Sequence, residues 1–371
     1  MNIRIMRKLI STIFFLLFSQ LVHSEIIKPD SETIDTWRES LKFFLDKNQI
    51  PLIDMETTLT KSIYHKWVPK IFPSLEKEKI ALTAADGGGG VNESGYKWSN
   101  YILENSQKYP SKFIPTTDGG FNKNWKDQNK GPNSFIAQLE KEVASGKYFV
   151  IGEIEFKHYM SNRQCKKGLH HRFVDIDIES EFGHRVFNLS NKYSLPLVIH
   201  LEMEDDQYSK LERMLRKYPK ANIIIAHFAQ LRNPEFQTKF TIENISLLLE
   251  RNQNLFFDLA NPKPNKKYKC SGPNQNETTY ITNPLWAYDA YDGEEQIDTM
   301  DSNWALFFEK YSDRFVFASD FGSRNRVFDD FLENRVYWFN RLTENLSEEA
   351  RHNISYRNAW KLITKEVWSN N

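Results

Sequence analysis

The chain has 371 residues, of which 40% are hydrophobic and 26% are charged, and its formal net charge is zero. This composition is typical of a globular protein with a core large enough to fold without disulfides or a structural metal. The balanced charge gives no reason to expect nucleic acid or an anionic membrane surface as a partner.

The chain begins with a segment typical of a secretory signal peptide. A basic start precedes the apolar stretch 9–22, and cleavage after Ser24 would leave Glu25 as the first residue. A retained membrane anchor is the alternative, but the stretch is short for a membrane span. The sequence therefore predicts a periplasmic or secreted protein that loses residues 1–24 and keeps no span.

Eight short apolar runs follow, rich in β-branched and aromatic residues, and they predict strands. They lie at 51–59, 79–86, 112–118, 148–156, 195–202, 221–228, 254–260 and 314–321. Helical patterns at 134–146, 181–193, 208–218, 241–252 and 303–313 separate several of them.

Alternation of apolar strands with helices indicates an α/β fold with a parallel sheet covered by helices. Eight repeats predict a single domain, residues 25–371, folded as a (β/α)8 TIM barrel. An open doubly wound sheet is the alternative. It would more naturally carry a glycine-rich phosphate turn after its first strand, which the run 51–59 lacks.

Three long segments, 86–98, 161–180 and 261–301, follow the second, fourth and seventh runs. They leave the C-terminal ends of the predicted strands, the face where barrels hold their active sites. Loops of this length are usually functional lids or disordered segments. Cys165 and Cys270 fall in the last two segments, and the sequence leaves open whether they pair.

Histidines and carboxylates lie at or near the ends of several predicted strands. They are Asp54, Glu56, Glu153, Glu155, His200, His227 and Asp320. One such residue would be explained by a hydrogen bond, but a barrel brings the strand ends into a ring. Imidazole and carboxylate together suit zinc, manganese or iron, so the pattern predicts a metal site.

The pattern resembles the amidohydrolase superfamily of metal-dependent hydrolases, and most closely its amidohydrolase-related branch. The resemblance covers about residues 50–365 and rests on LPLVIH ending at His200, NIIIAH ending at His227 and the phrase DRFVFASDFG with Asp320. The segment NISYRNAWKLI is similar to the family's terminal helix, and VIGEIEF resembles a TatD-like fourth strand in which the residue matching Glu153 binds metal.

The first strand departs from the family pattern. Family members usually have the motif Asp-x-His-x-His there, whereas this chain has Asp54, Glu56 and Thr58. Some decarboxylase-like relatives have Glu at the first of these histidine positions, but threonine is a poor ligand for a transition metal. We therefore expect one divalent metal ion rather than two, with zinc as the first choice and manganese or iron as alternatives.

The resemblance implies a role for each strand-end residue. His200 and Asp320 would bind the metal, and Asp320 would also take a proton from the attacking water. His227 would be a further ligand or would polarise the substrate carbonyl. Glu153 and Glu56 would complete the ligand set.

Arg324 and Arg326 follow the eighth predicted strand, where guanidinium groups could bind a substrate carboxylate. Solvated loop arginines are the alternative.

The leading prediction is an exported hydrolase that acts on an amide, ester or lactone carbonyl of a small molecule through a metal-activated water. A metal-assisted non-oxidative decarboxylase is the second interpretation, favoured by Glu56. A barrel that has lost its metal and serves as a binding protein is the third, favoured by Thr58. The substrate and the oligomeric state stay open.

Overall fold

The structure is a computed structural model that describes residues 26–58, 70–86, 98–119, 134–228, 230–260, 262–269, 278–291, 294–321 and 328–369. The predicted signal segment 1–24 lies outside these ranges. Within them, no helix is both long and apolar enough to cross a membrane.

Strands and helices alternate along most of the chain. In chain order the strands are β1 (Leu52–Thr58), β2 (Ile80–Asp86), β3 (Phe113–Pro115), β4 (Ile151–His158), β5 (Val174–Asp175), β6 (Pro196–Leu201), β7 (Asn222–Ile225), β8 (Leu255–Asp258), β9 (Asn265–Lys269), β10 (Thr278–Thr282), β11 (Trp286–Tyr291), β12 (Glu294–Met300) and β13 (Phe315–Val316). The α-helices of the described ranges include Ser31–Leu45, Trp98–Lys108, Phe135–Ala144, Asn162–Lys166, Glu181–Tyr193, Gln207–Lys217, Ile242–Arg251, Ser302–Lys310, Phe328–Thr343, Glu348–His352 and Asn358–Thr364.

Each of the eight predicted apolar runs overlaps a strand, and these eight strands are parallel. They form two sheets, one of β1, β2 and β3 and one that includes β4, β6, β7, β8 and β13. Parallel bridges between Thr116 and Val150 and between Thr57 and Phe321 join the sheets at both edges. The eight strands therefore make a continuous ring, which confirms the predicted barrel over the open sheet.

Local sequence explains where the outer helices begin and which face they bury. The helix Glu181–Tyr193 starts after Ser180, whose hydroxyl accepts a hydrogen bond from the backbone N–H of Gly183 at 3.2 Å. Its apolar residues recur at helical spacing, and Phe182, Val186 and Phe187 are buried against the strands. Strands held in this way keep their C-terminal ends, and the polar residues there, in fixed positions.

The segment between β8 and β13 contains two antiparallel hairpins rather than an irregular loop. β9 pairs with β10, and β11 pairs with β12. Trp286 is buried, its indole N–H donates to the carbonyl of Pro262 at 2.8 Å, and its ring packs edge-on against Trp338. The disordered alternative for 261–301 is wrong for the described part, because these strands pair; the functional-lid alternative stays a prediction.

Cys165, in the segment after β4, is disulfide-bonded. Cys270 lies outside the described residues.

A buried carboxylate joins the first and last strands of the ring. Asp54 is 1% exposed. Its Oδ1 accepts the backbone N–H of Ser319 at 2.8 Å and that of Glu56 at 3.2 Å. Its Oδ2 accepts the hydroxyls of Ser319 at 2.5 Å and Thr57 at 2.7 Å. Asp54 therefore fixes the end of β1 beside the segment that follows β13.

We expect Asp54→Ala to lower the free energy of unfolding by about 3 kcal/mol, because it leaves buried donors without an acceptor. The control Asp35→Ala removes an exposed carboxylate from the helix Ser31–Leu45 and should change the value by less than about 0.5 kcal/mol. Urea denaturation of both variants measures the difference. A loss below about 1 kcal/mol for Asp54→Ala would show that the junction does not depend on this carboxylate.

Candidate metal centre

Neighbouring strands bring a glutamate and two histidines together at one end of the barrel. Glu153 on β4 places Oε1 2.9 Å from Nδ1 of His200 on β6 and 3.7 Å from Nε2 of His227, which follows β7. The two imidazole rings are 4.9 Å apart between centroids. Glu153, His200 and His227 can each offer a ligand atom, and these atoms lie within 4.8 Å of one another.

A second group shares His227 with the first. Glu56 on β1 places Oε1 3.3 Å from His227 Nε2, and Asp258 at the end of β8 completes a group whose ligand atoms also lie within 4.8 Å of one another. Oδ1 of Asp258 accepts the backbone N–H of His227 at 2.8 Å and that of Ala260 at 3.0 Å. Asp258 thus holds the backbone at His227 in place.

Several atoms of this second group have no hydrogen-bond partner outside the group among the described residues. Oε2 of Glu56, Nδ1 of His227 and Oδ2 of Asp258 are buried in this way, and a contact between the Glu56 and Asp258 carboxylates would need a shared proton. Unpaired buried polar atoms are costly and call for a physical explanation. Imidazole and carboxylate donors of this kind fit a divalent metal ion.

The raised pKa values of the carboxylates also favour a cation at this site. Burial raises the pKa of Glu56 well above its usual value, and repulsion from Glu153, Asp258 and Asp320 adds to that rise. Burial also raises the pKa of Asp258. A cation between these groups would relieve both the desolvation and the repulsion.

His200 and Glu153 stabilise each other's charged forms. Burial lowers the pKa of His200, but hydrogen bonds to Glu153 and Glu202 outweigh it and raise that pKa to about 9. Burial raises the pKa of Glu153, yet hydrogen bonds from His200 and His227 bring it well below its usual value.

The backbone contributes to the placement of two site residues. His227 and Asp320 have positive φ angles of 58° and 50°, in the left-handed region. Non-glycine residues rarely adopt this region, although Asp and His are more tolerant than most. The strand ends at β7 and β13 therefore turn sharply at the residues predicted to do the chemistry.

Asp320 stands apart from both ligand groups. Its backbone N–H donates to the carbonyl of Glu56 at 3.1 Å, so the main chain lies beside the site. Its carboxylate, however, is 42% exposed, with Oδ2 3.4 Å from Nη2 of Arg335. The roles inferred for Asp320 as ligand and base stay predictions.

The other residues singled out in the sequence have different neighbours. Thr58, at the position of the family's second histidine, has Oγ1 3.5 Å from Oδ2 of Asp86. Arg324 and Arg326 lie outside the described residues, so their substrate-binding role also stays a prediction.

A second layer of buried polar residues surrounds His200. The His158 ring packs edge-on against it, with 4.6 Å between centroids, and His158 Nδ1 lies 2.7 Å from the carbonyl oxygen of Arg172. The Arg172 guanidinium donates to Glu155. Burial raises the pKa of Glu155 to about 7, with Arg172 opposing that rise.

Sequence reasoning missed Asp258 and, apart from Glu155, this outer layer. Asp258 closes the apolar run 254–260 as His200 closes its own run, so the strand-end rule could have identified it. Glu202 follows His200 by two residues and could have been noticed in the same way. Arg172 lies in the short 3-10 helix His170–Arg172 and Arg232 lies in a loop, and no sequence signal singles them out.

The family model described as Amidohydrolase matches residues 163–364, more than half of the chain. No curated protein matches the sequence.

Solved structures with a similar overall fold include a Staphylococcus aureus protein described as an amidohydrolase. It is 12% identical in sequence, with a TM-score of 0.46, and the match covers 84% of this chain and 99% of that protein. The 2,6-dihydroxybenzoate decarboxylase from Rhizobium has 11% identity and a TM-score of 0.46, covering 84% and 98%. A mutant organophosphorus hydrolase from Deinococcus radiodurans has 11% identity and a TM-score of 0.46, covering 85% and 92%.

The raised pKa of His200 predicts how the metal-free protein responds to pH. The folded state holds this proton with a pKa of about 9, against an ordinary 6.5. The stabilisation, on the order of 3 kcal/mol, is therefore complete below pH 6.5 and is lost as the pH rises through about 9. Urea denaturation of chelator-treated protein across this window measures the change.

His200→Gln should remove most of that pH dependence. His184→Gln, which changes a histidine on the outer helix Glu181–Tyr193, should keep it. If the free energy of unfolding falls with pH equally in the wild type and in His200→Gln, another group carries the proton.

Proposed function

The chain belongs to the amidohydrolase family, whose members are enzymes, and on that basis we propose that it is an exported, metal-dependent hydrolase of small molecules. The substrate bond we propose is an amide, ester or lactone. The observation that carries the proposal is the pair of ligand groups sharing His227, whose buried atoms include several with no hydrogen-bond partner outside the groups in the described part of the chain.

The first group, Glu153, His200 and His227, offers two imidazoles and one carboxylate, the donor set that suits a zinc ion. Glu56 adds a carboxylate beside His227, in the position where the family usually has a histidine. A divalent metal bound there would supply Lewis-acid polarisation of a carbonyl group and would lower the pKa of water.

Asp320 is the best candidate for the proton acceptor. The side chains of Glu56 and Glu153 are 5% and 11% exposed, whereas that of Asp320 is 42% exposed. A carboxylate open to the solvent side can reach a substrate and release its proton afterwards. Arg324 and Arg326 come shortly after it in the sequence and would bind a carboxylate on the substrate.

Non-oxidative decarboxylation is the second candidate. Its support is Glu56, which occupies the position where some decarboxylase-like relatives also have glutamate and which lies 3.3 Å from His227. Both candidates need a bound metal and differ in the bond that breaks.

Elemental analysis of the purified mature protein tests the proposal. We expect a stoichiometric divalent metal, which should disappear in His200→Ala and remain in the outer-helix control His184→Gln.

Asp320→Asn should lower kcat by about 100-fold or more, since it removes the proton acceptor. Ester, lactone and amide substrates would report hydrolysis, and carbon dioxide release from aromatic acids would favour the decarboxylase.

A wild-type protein that holds no metal, even after zinc or manganese is added, would contradict both enzymatic candidates. The barrel would then be better explained as a binding protein. If Glu56→Gln leaves metal content and activity unchanged, Glu56 is not part of the ligand set.

Export is the remaining part of the proposal, supported by the basic and apolar start of the chain. N-terminal sequencing of protein recovered outside the cytoplasm should read Glu25 first. Recovery of the uncut chain in the cytoplasm would contradict it.

A further inference from the structure

Glu202 contacts the ring nitrogen of His200 that does not face Glu153. Its Oε1 is 3.3 Å from His200 Nε2, while His200 Nδ1 lies 2.9 Å from Glu153. Among the described residues, neither group of candidate ligands includes Glu202, although its carboxylate is close to an imidazole. The two ring nitrogens of His200 therefore face two different carboxylates.

Arg232 holds Glu202 in place. Nε of Arg232 is 3.0 Å from Oε1 of Glu202, and Arg232 Nη1 donates to the backbone carbonyl of Tyr159, just after β4. The backbone N–H of Glu202 donates to the carbonyl of Lys157 at 3.0 Å. Glu202 is thus fixed through both its main chain and its side chain.

The loop that carries Arg232 is also fixed. The side-chain oxygen of Gln237 accepts the backbone N–H groups of Arg232 and Asn233, both at 2.9 Å. Arg232 and Glu202 are 5% and 4% exposed. Buried ion pairs contribute little net stability, so this one calls for a reason other than holding the fold together.

The two carboxylates fix the orientation of the His200 ring, because Nδ1 faces Glu153 and Nε2 faces Glu202. If a metal ion takes the place of the proton on Nδ1, the ionised Glu202 carboxylate still accepts a hydrogen bond from Nε2 and keeps a proton on that nitrogen. Nδ1 can then present its lone pair on the side of Glu153 and His227. A histidine that binds metal through one nitrogen typically donates from the other to such a carboxylate.

We propose that Glu202 and Arg232 are positioning residues that keep Nδ1 of His200 directed toward Glu153 and His227 for metal binding. The inference rests on the proposed function, because it assumes that His200 is a ligand. Glu202 acts on the metal through His200, and Arg232 acts through Glu202.

Zinc affinity, measured by competition with a chromophoric chelator, tests this inference on the mature protein. Glu202→Ala and Arg232→Met should weaken zinc binding by about 10- to 100-fold. Glu202→Gln and Arg232→Lys should lose less, because the first keeps an acceptor for Nε2 and the second keeps the positive charge. The matched control is Glu179→Gln, which breaks the surface ion pair with Arg213 and should bind zinc like the wild type.

A spectroscopic readout separates positioning from a merely structural role. In ¹⁵N NMR of histidine-labelled, zinc-loaded protein, His200 should carry its proton on Nε2, and Glu202→Gln should alter that signal. If Glu202→Ala fails to fold, the two conservative variants still decide the question through their zinc affinities and the His200 signal.

Zinc affinity within about twofold of the wild type in all variants, with His200 unchanged, would overturn the inference while leaving the proposed function intact. Variants that lose stability but keep the zinc affinity of the wild type would also overturn the inference. A wild type that binds no zinc would instead overturn the proposed function and this inference with it.

Discussion

Crowding of buried carboxylates around His227 is the constraint on which the rest of the site depends. Glu56, Glu153 and Asp258 all lie close to this residue. Burial disfavours the ionised forms of Glu56 and Asp258, and repulsion from neighbouring carboxylates adds to that effect at Glu56, whereas hydrogen bonds from the two histidines keep Glu153 ionised. Protons or a cation must offset that cost. The imidazoles supply part of that compensation, and protons on the carboxylates or a bound cation would supply the rest. A site built in this way is costly when empty, which is the usual signature of function rather than of packing.

The ring of strands makes that crowding possible. β1 and β13 are far apart in sequence, and two of the four hydrogen bonds accepted by Asp54, both donated by Ser319 just after β13, hold the two segments together. Glu56 follows Asp54 by two residues, so the same junction delivers Glu56 to His227. The carboxylate that stabilises the junction is therefore distinct from the one that enters the site, although both lie in the same short strand.

The sequence allowed the barrel and much of the site to be predicted, because apolar runs mark strands and a ring brings strand ends together. His200, His227, Glu153 and Glu56 were found by that rule, and Asp258 obeys it too but looked like an ordinary strand end. The direction of the Asp320 carboxylate depends on its rotamer and on Arg335, which no local pattern encodes. Arg232 is placed by a backbone carbonyl distant in sequence, so its role depends on tertiary structure.

The hairpin of β11 and β12 was missed although Asp-Gly, a strong hairpin signal, separates its strands in the sequence.

The left-handed backbone at His227 restricts which residues evolution could place there. β-Branched side chains are strongly disfavoured at such an angle, whereas Gly, Asn, Asp and His are tolerated. Of these four, only His and Asp are strong ligands for a transition metal. If His227 binds metal as proposed, the main chain and the metal chemistry impose two separate requirements on one position, and histidine meets both. A chain without that metal would be free of the second requirement but still bound by the first.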